Sequence, residues 1–169
     1  MTVRYVIGSD ETGYGAWAGP LVVVAAACPV GIVPSGLFSD KRQRLIESKC
    51  LKQIAMPRRL SLFDSVLTTC RARWELIVFS PREVDEEGAL TCLLEGHRQA
   101  VASVRRKLEA FGEEWADTVV DGNLEIGLPQ VRCLPEADFN IPAVASASIL
   151  AKMLRDDMMG SLPVDASYG

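Results

Sequence analysis

A long stretch without any charged residue, residues 12–39, restricts the possible folds of this chain more than any other feature. A membrane-spanning helix needs about 20 consecutive apolar residues. Glycine and proline interrupt this stretch at several points, among them Gly19-Pro20 and Pro29. Its most apolar part, residues 21–27, has the length of a buried strand. We therefore expect a core strand rather than a membrane span.

Two adjacent acids, Asp10 and Glu11, follow another apolar run, about residues 3–9, and precede the segment Gly13-Tyr14-Gly15. Adjacent side chains of a regular strand point to opposite faces. We therefore expect the strand to end between the two acids, so that their carboxylates converge, with the glycines permitting the turn. Paired acids beside a glycine loop indicate a metal site that handles phosphate.

Length and composition are those of an ordinary globular protein. The 169 residues, 49% of them hydrophobic and 24% charged, are expected to form one domain over 1–169. The five cysteines lack C-x-x-C spacing, which argues against a zinc site and a disulfide framework and favours a reduced, cytoplasmic location. The early acids also interrupt any signal-peptide core.

Charge is distributed unevenly along the chain. The net charge of −4 argues against nucleic-acid binding through overall charge alone. Residues 41–73, however, contain two acids, Glu47 and Asp64, against the basic residues Lys41, Arg42, Arg44, Lys49, Lys52, Arg58, Arg59, Arg71 and Arg73. Such a segment can contact phosphates. A solvated helical face is the alternative.

Hydrophobic periodicity and helix caps predict a mixed sheet flanked by helices. Ser80-Pro81 and Glu83 indicate a helix start, Gly88 a break and Gly112 a stop. A last helix is expected from about residue 144 to 159. Strands are expected at about residues 3–9, 20–28, 74–79, 118–120 and 130–134.

The only histidine, His97, lies on the apolar stripe of the long predicted helix. Because no partner motif lies nearby in sequence, we favour a buried histidine with satisfied hydrogen bonds over a catalytic one. A Ser-His-Asp scheme would rest on this residue alone and is not favoured.

A third acid, Asp121, ends an apolar strand and is followed by Gly122, as in a plain turn. If this strand and the first one are parallel neighbours, their acids face the same crevice, where ligand sites of open α/β sheets lie. Asp121 is therefore a site candidate only in combination with the other acids.

The last predicted helix carries a polar face. A purely solvated face is the alternative interpretation. Of the two consecutive aspartates, Asp156 is the better site candidate, because Asp157 falls on the apolar side. The polar face contains Ser148, Lys152, Arg155 and Asp156.

Four acids without a cysteine or multiple-histidine cluster select a hard cation, Mg²⁺ or Mn²⁺. Two such ions about 4 Å apart can activate a water molecule for phosphodiester cleavage. The glycine loop lacks the Gly-Lys-Ser/Thr of a nucleotide P-loop, which favours hydrolysis of a polynucleotide. The candidate ligands are Asp10, Glu11, Asp121 and Asp156.

These motifs together resemble the type 2 ribonucleases H, the ribonuclease HII family. Residues 8–20 are similar to its G-x-D-E-A-G-R-G-x-x-x-G-P, residues 121–123 match D-G-N, and residues 146–156 resemble A-A-S-I-L-A-K-x-x-R-D. The segment Glu47-Ser48-Lys49-Cys50-Leu51 is similar to D-S-K-K-L, with a competing register at Ser39-Asp40-Lys41. The blocks occur in the family's order.

The resemblance implies a ribonuclease H-like fold, a five-stranded mixed sheet with helices on both sides. It implies cleavage of the RNA strand of RNA·DNA hybrids and nicking at ribonucleotides embedded in duplex DNA, with roles in DNA replication and repair and no membrane. A monomer is expected. By position, the four acids would hold two Mg²⁺ or Mn²⁺ ions. The loop Gly13-Tyr14-Gly15 would face the ribonucleotide, and phosphate contacts or carboxylate orientation would come from Lys49, Ser148 and Lys152.

The chain also departs from the family pattern. Tyr14 stands where the family has arginine. The chain ends at Tyr168-Gly169, whereas the family continues to an H-K-G-Y-G-T segment, so we expect its C-terminal extension to be absent. Tyr168 then matches an earlier Tyr-Gly, or alternatively takes the role of the later substrate-binding tyrosine. Two further alternatives are a relative that binds hybrids with little cleavage and another nuclease on the same fold.

Overall fold

A computed structural model describes residues 3–16, 18–37 and 54–161. Within them, five strands form one sheet in the order β3-β2-β1-β4-β5. The strands are β1 (Arg4–Thr12), β2 (Leu21–Pro29), β3 (Trp74–Phe79), β4 (Glu114–Asp121) and β5 (Arg132–Leu134). The helices are α1 (Met56–Cys70), α2 (Pro81–Glu87), α3 (Ala89–Ala110) and α4 (Pro142–Gly160).

The sheet is mixed, as predicted. Strands β1, β2 and β3 pair antiparallel, whereas β4 lies parallel to both β1 and β5. Apolar residues of α1 and α4 pack against one face of the sheet and those of α3 against the other. The predicted ribonuclease H-like architecture, a five-stranded mixed sheet with helices on both sides, is therefore confirmed.

The uncharged stretch contains the interior strand β2, which lies between β3 and β1. Residues 21–28 are all at most 2% exposed, because helices cover both faces of the strand. The prediction of a core strand is confirmed. In the described parts of the chain, no helix is both long and apolar enough to cross a membrane.

Strand β1 continues beyond the point where the sequence predicts its end. Asp10, Glu11 and Thr12 still pair with β2, so the expected break between the two acids is wrong. Continued pairing with β2 keeps the backbone extended and places the two carboxylates on opposite faces of the sheet. The turn follows at Gly13, whose φ is +94°.

Local signals predicted the start of α2 and the break between α2 and α3, whereas no helix was predicted where α1 lies. Ser80 and Glu83 form the expected capping box, and Gly88 separates α2 from α3. Strand β4 begins at Glu114, earlier than predicted. Its first residues do not form an apolar run; they are extended because they pair with β1. Of the basic segment, residues 41–52 lie outside the described residues.

A charged cluster joins the start of β3 to the start of β4. Arg73 donates from Nε and Nη2 to Glu113 at 2.5 and 2.8 Å, and the Tyr5 hydroxyl donates to the same carboxylate at 3.2 Å. Hydrogen bonding from Arg73 lowers the pKa of Glu113. The cluster therefore stabilises the fold above the ordinary glutamate pKa, and this contribution disappears as the pH falls through the lowered folded-state pKa.

We expect Glu113→Gln to lower the free energy of unfolding by about 1 kcal/mol at neutral pH, since a partly buried bidentate pair is lost. The Tm would fall by about 2–4 °C. Thermal melts across pH test this, because the difference should vanish in acid. Glu86→Gln is the control: its pair with Arg82 is 58% exposed at the glutamate and should contribute little. Equal melting of Glu113→Gln and wild type at pH 7 would contradict the expectation.

Candidate metal and nucleic-acid site

Parallel pairing of β1 with β4 brings three acids to one edge of the sheet. Ser9 is paired with Val120, so Asp10 and Asp121 follow at neighbouring positions of adjacent strands. The expectation that β1 and β4 are parallel neighbours is therefore confirmed. Glu11 lies one residue further along β1, and its charge acts on both aspartates.

Asp10 is the most buried of these acids, with 6% of its surface exposed. It lies on the face covered by α4, where Ser148 hydrogen-bonds to it, and its Oδ1 accepts the Glu11 N–H at 2.7 Å. Burial, followed by the charge of Glu11, raises the pKa of Asp10 well above its ordinary value. A buried carboxylate among other acids is what a bound cation would stabilise.

Asp121 is held by the turn after β5. The Ala137 N–H donates to Asp121 Oδ1 at 2.7 Å, and the Asp138 backbone provides a further hydrogen bond. Burial raises the pKa of Asp121, although these backbone bonds oppose the shift. Asp121 is thus more than a plain turn residue, because the 3₁₀ turn Ala137–Phe139 is anchored to it.

Glu11 points to the opposite face, towards α3. His97 Nε2 lies 3.3 Å from Glu11 Oε2, and His97 Nδ1 lies 2.8 Å from Ser9 Oγ. The prediction of a buried, hydrogen-bonded histidine is confirmed, but its contact with a candidate ligand was missed. The arrangement is not a nucleophilic triad, since Ser9 is fully buried and donates to the Val24 carbonyl at 3.0 Å.

Helix α4 carries three further candidates, Ser148, Lys152 and Asp156. Ser148 is 2% exposed and reaches Asp10, so the predicted polar face is not simply solvated at this position. One turn further on, Lys152 and Asp156 form an ion pair. Asp157 is exposed to solvent, so the expectation that it falls on the apolar side is wrong, and the preference for Asp156 stays a prediction.

The glycine loop is held against α4 by Arg155. Its guanidinium donates from Nε to the Pro20 carbonyl at 2.9 Å and from Nη2 to the Ala18 carbonyl at 2.8 Å. A Cβ at Gly13 would lie 2.5 Å from the Pro20 oxygen and 2.6 Å from Arg155 Nε. Only glycine fits there. The sequence placed Arg155 on the polar face but gave no sign that it organises the loop.

Tyr14 extends from this loop towards the acids. Its side chain is 48% exposed and contributes to a cavity of about 190 Å³ that Glu11, His97 and Asp121 also line. Gly15 has a φ of +74° and open space around it. Tyr14, two of the acids, Glu11 and Asp121, and His97 therefore share one concave surface.

The chemistry of the donors matches a hard divalent cation. Carboxylate oxygens dominate the set, and the buried Asp10 needs a positive partner. Among residues 3–16, 18–37 and 54–161, no three acidic, histidine or cysteine side chains are oriented closely enough to hold a metal ion as they stand. Lys152 forms an ion pair with Asp156 Oδ1, so this oxygen can bind a metal ion only after the lysine side chain has moved away.

Two predicted substrate contacts cannot be placed. Lys49 and Tyr168 both lie outside the described residues. Of the remaining predicted site residues, Asp10, Glu11 and Asp121 lie at the carboxyl edge of β1 and β4, Ser148 contacts Asp10, and Gly13, Tyr14 and Gly15 belong to the adjoining loop, whereas Lys152 and Asp156 pair with each other.

Comparison with known proteins gives consistent matches. A family model described as Ribonuclease HII matches residues 7–169. A ribonuclease HII of Streptomyces griseus subsp. griseus is 35% identical to this chain, and the match covers 94% of this chain. The same match covers 60% of that relative's length.

Solved structures resemble the chain over most of its length. The PCNA:RNase HII complex from Archaeoglobus fulgidus contains a chain with a TM-score of 0.59 and 25% identity, covering 98% of this chain and 83% of its own. Bst-RNase HIII in complex with Mn²⁺ has a similar fold, with a TM-score of 0.64, 19% identity, and coverage of 94% of this chain and 54% of its own.

Proposed function

Since the chain belongs to the ribonuclease HII family, we propose that it is a metal-dependent endoribonuclease that cleaves the RNA strand of RNA·DNA hybrids. The observation that carries the proposal is the placement of Asp10, Glu11 and Asp121 at one sheet edge beside a glycine loop. Removal of RNA from DNA during replication and repair is the cellular role that such an activity serves.

The metal ligands in this proposal are Asp10, Glu11, Asp121 and Asp156. Mg²⁺ or Mn²⁺ held there, as one ion or two, would supply an activated water and stabilise the leaving oxygen. The Mn²⁺ complex of Bst-RNase HIII, a protein of similar fold, is consistent with this choice of metal. Asp10 has the least freedom of the four, because burial and the Ser148 hydrogen bond fix it.

The other residues of the site serve the substrate. Lys152, once separated from Asp156, presents a cation to a phosphate of the cleaved strand. The backbone of Gly13-Tyr14-Gly15 faces the 2′-hydroxyl, the group that distinguishes RNA from DNA. The exposed Tyr14 ring stacks on a sugar or base. Recognition of a single ribonucleotide within duplex DNA rests on this loop.

A second candidate function is hybrid binding with little cleavage. The ion pair between Lys152 and Asp156 favours it, because this pair leaves one proposed ligand neutralised. The two functions differ in a direct way: hybrid binding alone needs no divalent metal, whereas cleavage does.

Cleavage of three labelled duplexes by the 169-residue chain tests the proposal: an RNA·DNA hybrid, a DNA duplex with one ribonucleotide, and an all-DNA duplex. Each is incubated with Mg²⁺, Mn²⁺ or EDTA. We expect the hybrid to be cut with either metal, no cutting in EDTA, and an intact all-DNA duplex. Salt-sensitive hybrid binding without cutting would establish the binding function instead, and cutting of all-DNA duplex would indicate a different nuclease.

A further inference from the structure

His97 joins α3 to the candidate metal site through a short chain of hydrogen bonds. It is 3% exposed, with Nδ1 2.8 Å from Ser9 Oγ and Nε2 3.3 Å from Glu11 Oε2. Ser9 in turn contacts the Val24 carbonyl at 3.0 Å. Both ring nitrogens therefore have partners on β1.

The direction of the hydrogen bonds fixes the ring. The Ser9 hydroxyl has one proton, which it donates to the Val24 carbonyl, an acceptor only. Its oxygen must then accept from His97 Nδ1–H. This bond sets the plane of the imidazole and directs Nε2 towards the Glu11 carboxylate, to which the ring donates from Nε2 in its imidazolium form, the form that carries a proton on both nitrogens.

The backbone of α3 is also held close to the sheet at this point. A Cβ on Gly96 would lie 2.7 Å from Val23 Cγ2 and 3.1 Å from Phe79 Cε2. Glycine permits this close approach, and the next residue, His97, consequently reaches β1. The ring is anchored by its helix as well as by Ser9.

Glu11, by contrast, has room to move. It lines the cavity of about 190 Å³, and its side chain is 23% exposed. Fixing a glutamate side chain in one rotamer costs conformational entropy. A partner that fixes the carboxylate before the metal binds removes part of this cost from the binding step.

We propose that His97 is a positioning residue that orients Glu11 for metal binding, with Ser9 setting the orientation of its ring. The inference rests on the proposed function only in that Glu11 is taken as a metal ligand. Loss of a residue that hydrogen-bonds to a metal ligand typically lowers metal affinity or activity by about 10–100-fold.

The test compares His97→Leu, which removes both contacts at similar volume, with His97→Gln, whose amide can still donate to Glu11. Mn²⁺ binding is measured by calorimetry, and kcat and KM on the hybrid are measured across Mn²⁺ concentrations. We expect about 10–100-fold weaker Mn²⁺ binding in His97→Leu, substantial recovery in His97→Gln, and an unchanged KM for the hybrid. Excess Mn²⁺ should restore kcat in His97→Leu.

Ser9→Ala tests the same chain of bonds without altering the histidine. Ser146→Ala is its matched control, since Ser146 is an equally buried serine that bonds within α4 to the Pro142 carbonyl. We expect weaker Mn²⁺ binding in Ser9→Ala only. This pair keeps the inference testable if His97→Leu fails to fold, which circular dichroism would reveal.

The outcomes separate the two proposals. A wild-type chain that neither binds Mn²⁺ nor cuts the hybrid contradicts the proposed function. A wild-type chain that does both, with equal Mn²⁺ affinity in folded His97→Leu or with Ser9→Ala indistinguishable from Ser146→Ala, overturns the role of His97 alone.

Discussion

Asp10→Asn is expected to reduce metal-dependent cleavage by roughly 10³-fold while raising the stability of the metal-free protein. Loss of a ligand to the metal that stabilises the reacting phosphate removes several kcal/mol, and about 4 kcal/mol corresponds to that factor. Asparagine keeps the shape of the side chain and its acceptor oxygen for the Glu11 N–H. The effect is therefore expected from the lost charge rather than from misfolding.

The gain in stability follows from the raised pKa of Asp10. Between its ordinary value of 3.8 and the raised folded-state value, the folded protein retains a proton that the unfolded chain has released. Stability therefore falls as the pH rises through this range, and the ionised carboxylate destabilises the fold above it. The variant lacks this cost, so its advantage should grow with pH and disappear near 3.8.

Thermal melts in EDTA across pH, together with hybrid cleavage in Mg²⁺ and Mn²⁺, test both parts. Each kcal/mol gained should raise the Tm by about 2–4 °C. Excess Mn²⁺ should stabilise the wild type and leave Asp10→Asn unchanged. Asp157→Asn, at an exposed acid of α4, is the control and should behave as wild type in both assays. An active Asp10→Asn would exclude Asp10 as a ligand.

Gly8→Ala is expected to destabilise the fold by at least about 3 kcal/mol, at the upper end of overpacking effects. A Cβ at Gly8 would lie 2.2 Å from the Ala143 carbonyl carbon and from the Val144 nitrogen. These are backbone atoms at the start of α4, so no side-chain rotation can relieve the clash. The helix would have to move away from β1, taking Ser148 and Asp156 with it.

Urea unfolding measures the loss, and the corresponding fall in Tm is about 6–12 °C. Gly160→Ala is the control in the same helix, because the added Cβ would have no atom within 4 Å apart from its chain neighbours and the nearby backbone of α4 itself. It should remain within about 1 kcal/mol of wild type, in the direction of higher stability. Unchanged unfolding of Gly8→Ala would show that α4 does not rest on β1 as closely as the structure indicates.

Local patterns predicted much of the fold. The capping box at Ser80, the break at Gly88 and the apolar run of β2 depend on neighbouring residues or on composition, and each was found where expected. The four candidate ligands were also identified from sequence, through acids at strand ends, the polar face of α4 and the family motifs. Their assignment as ligands remains a prediction.

The contacts that organise the site depend on tertiary structure. Pairing with β2 extends β1 through Glu11, which places Asp10 against α4 and Glu11 against α3. His97 contacts Glu11, and Arg155 hydrogen-bonds to the glycine loop. Both contacts join residues far apart in sequence. The sequence alone therefore predicted the five strands, the helices α2, α3 and α4, and a set of candidate site residues. Only the packing of helices on the sheet decided where each carboxylate points, because that direction depends on strand pairing and long-range contacts that local preferences do not encode.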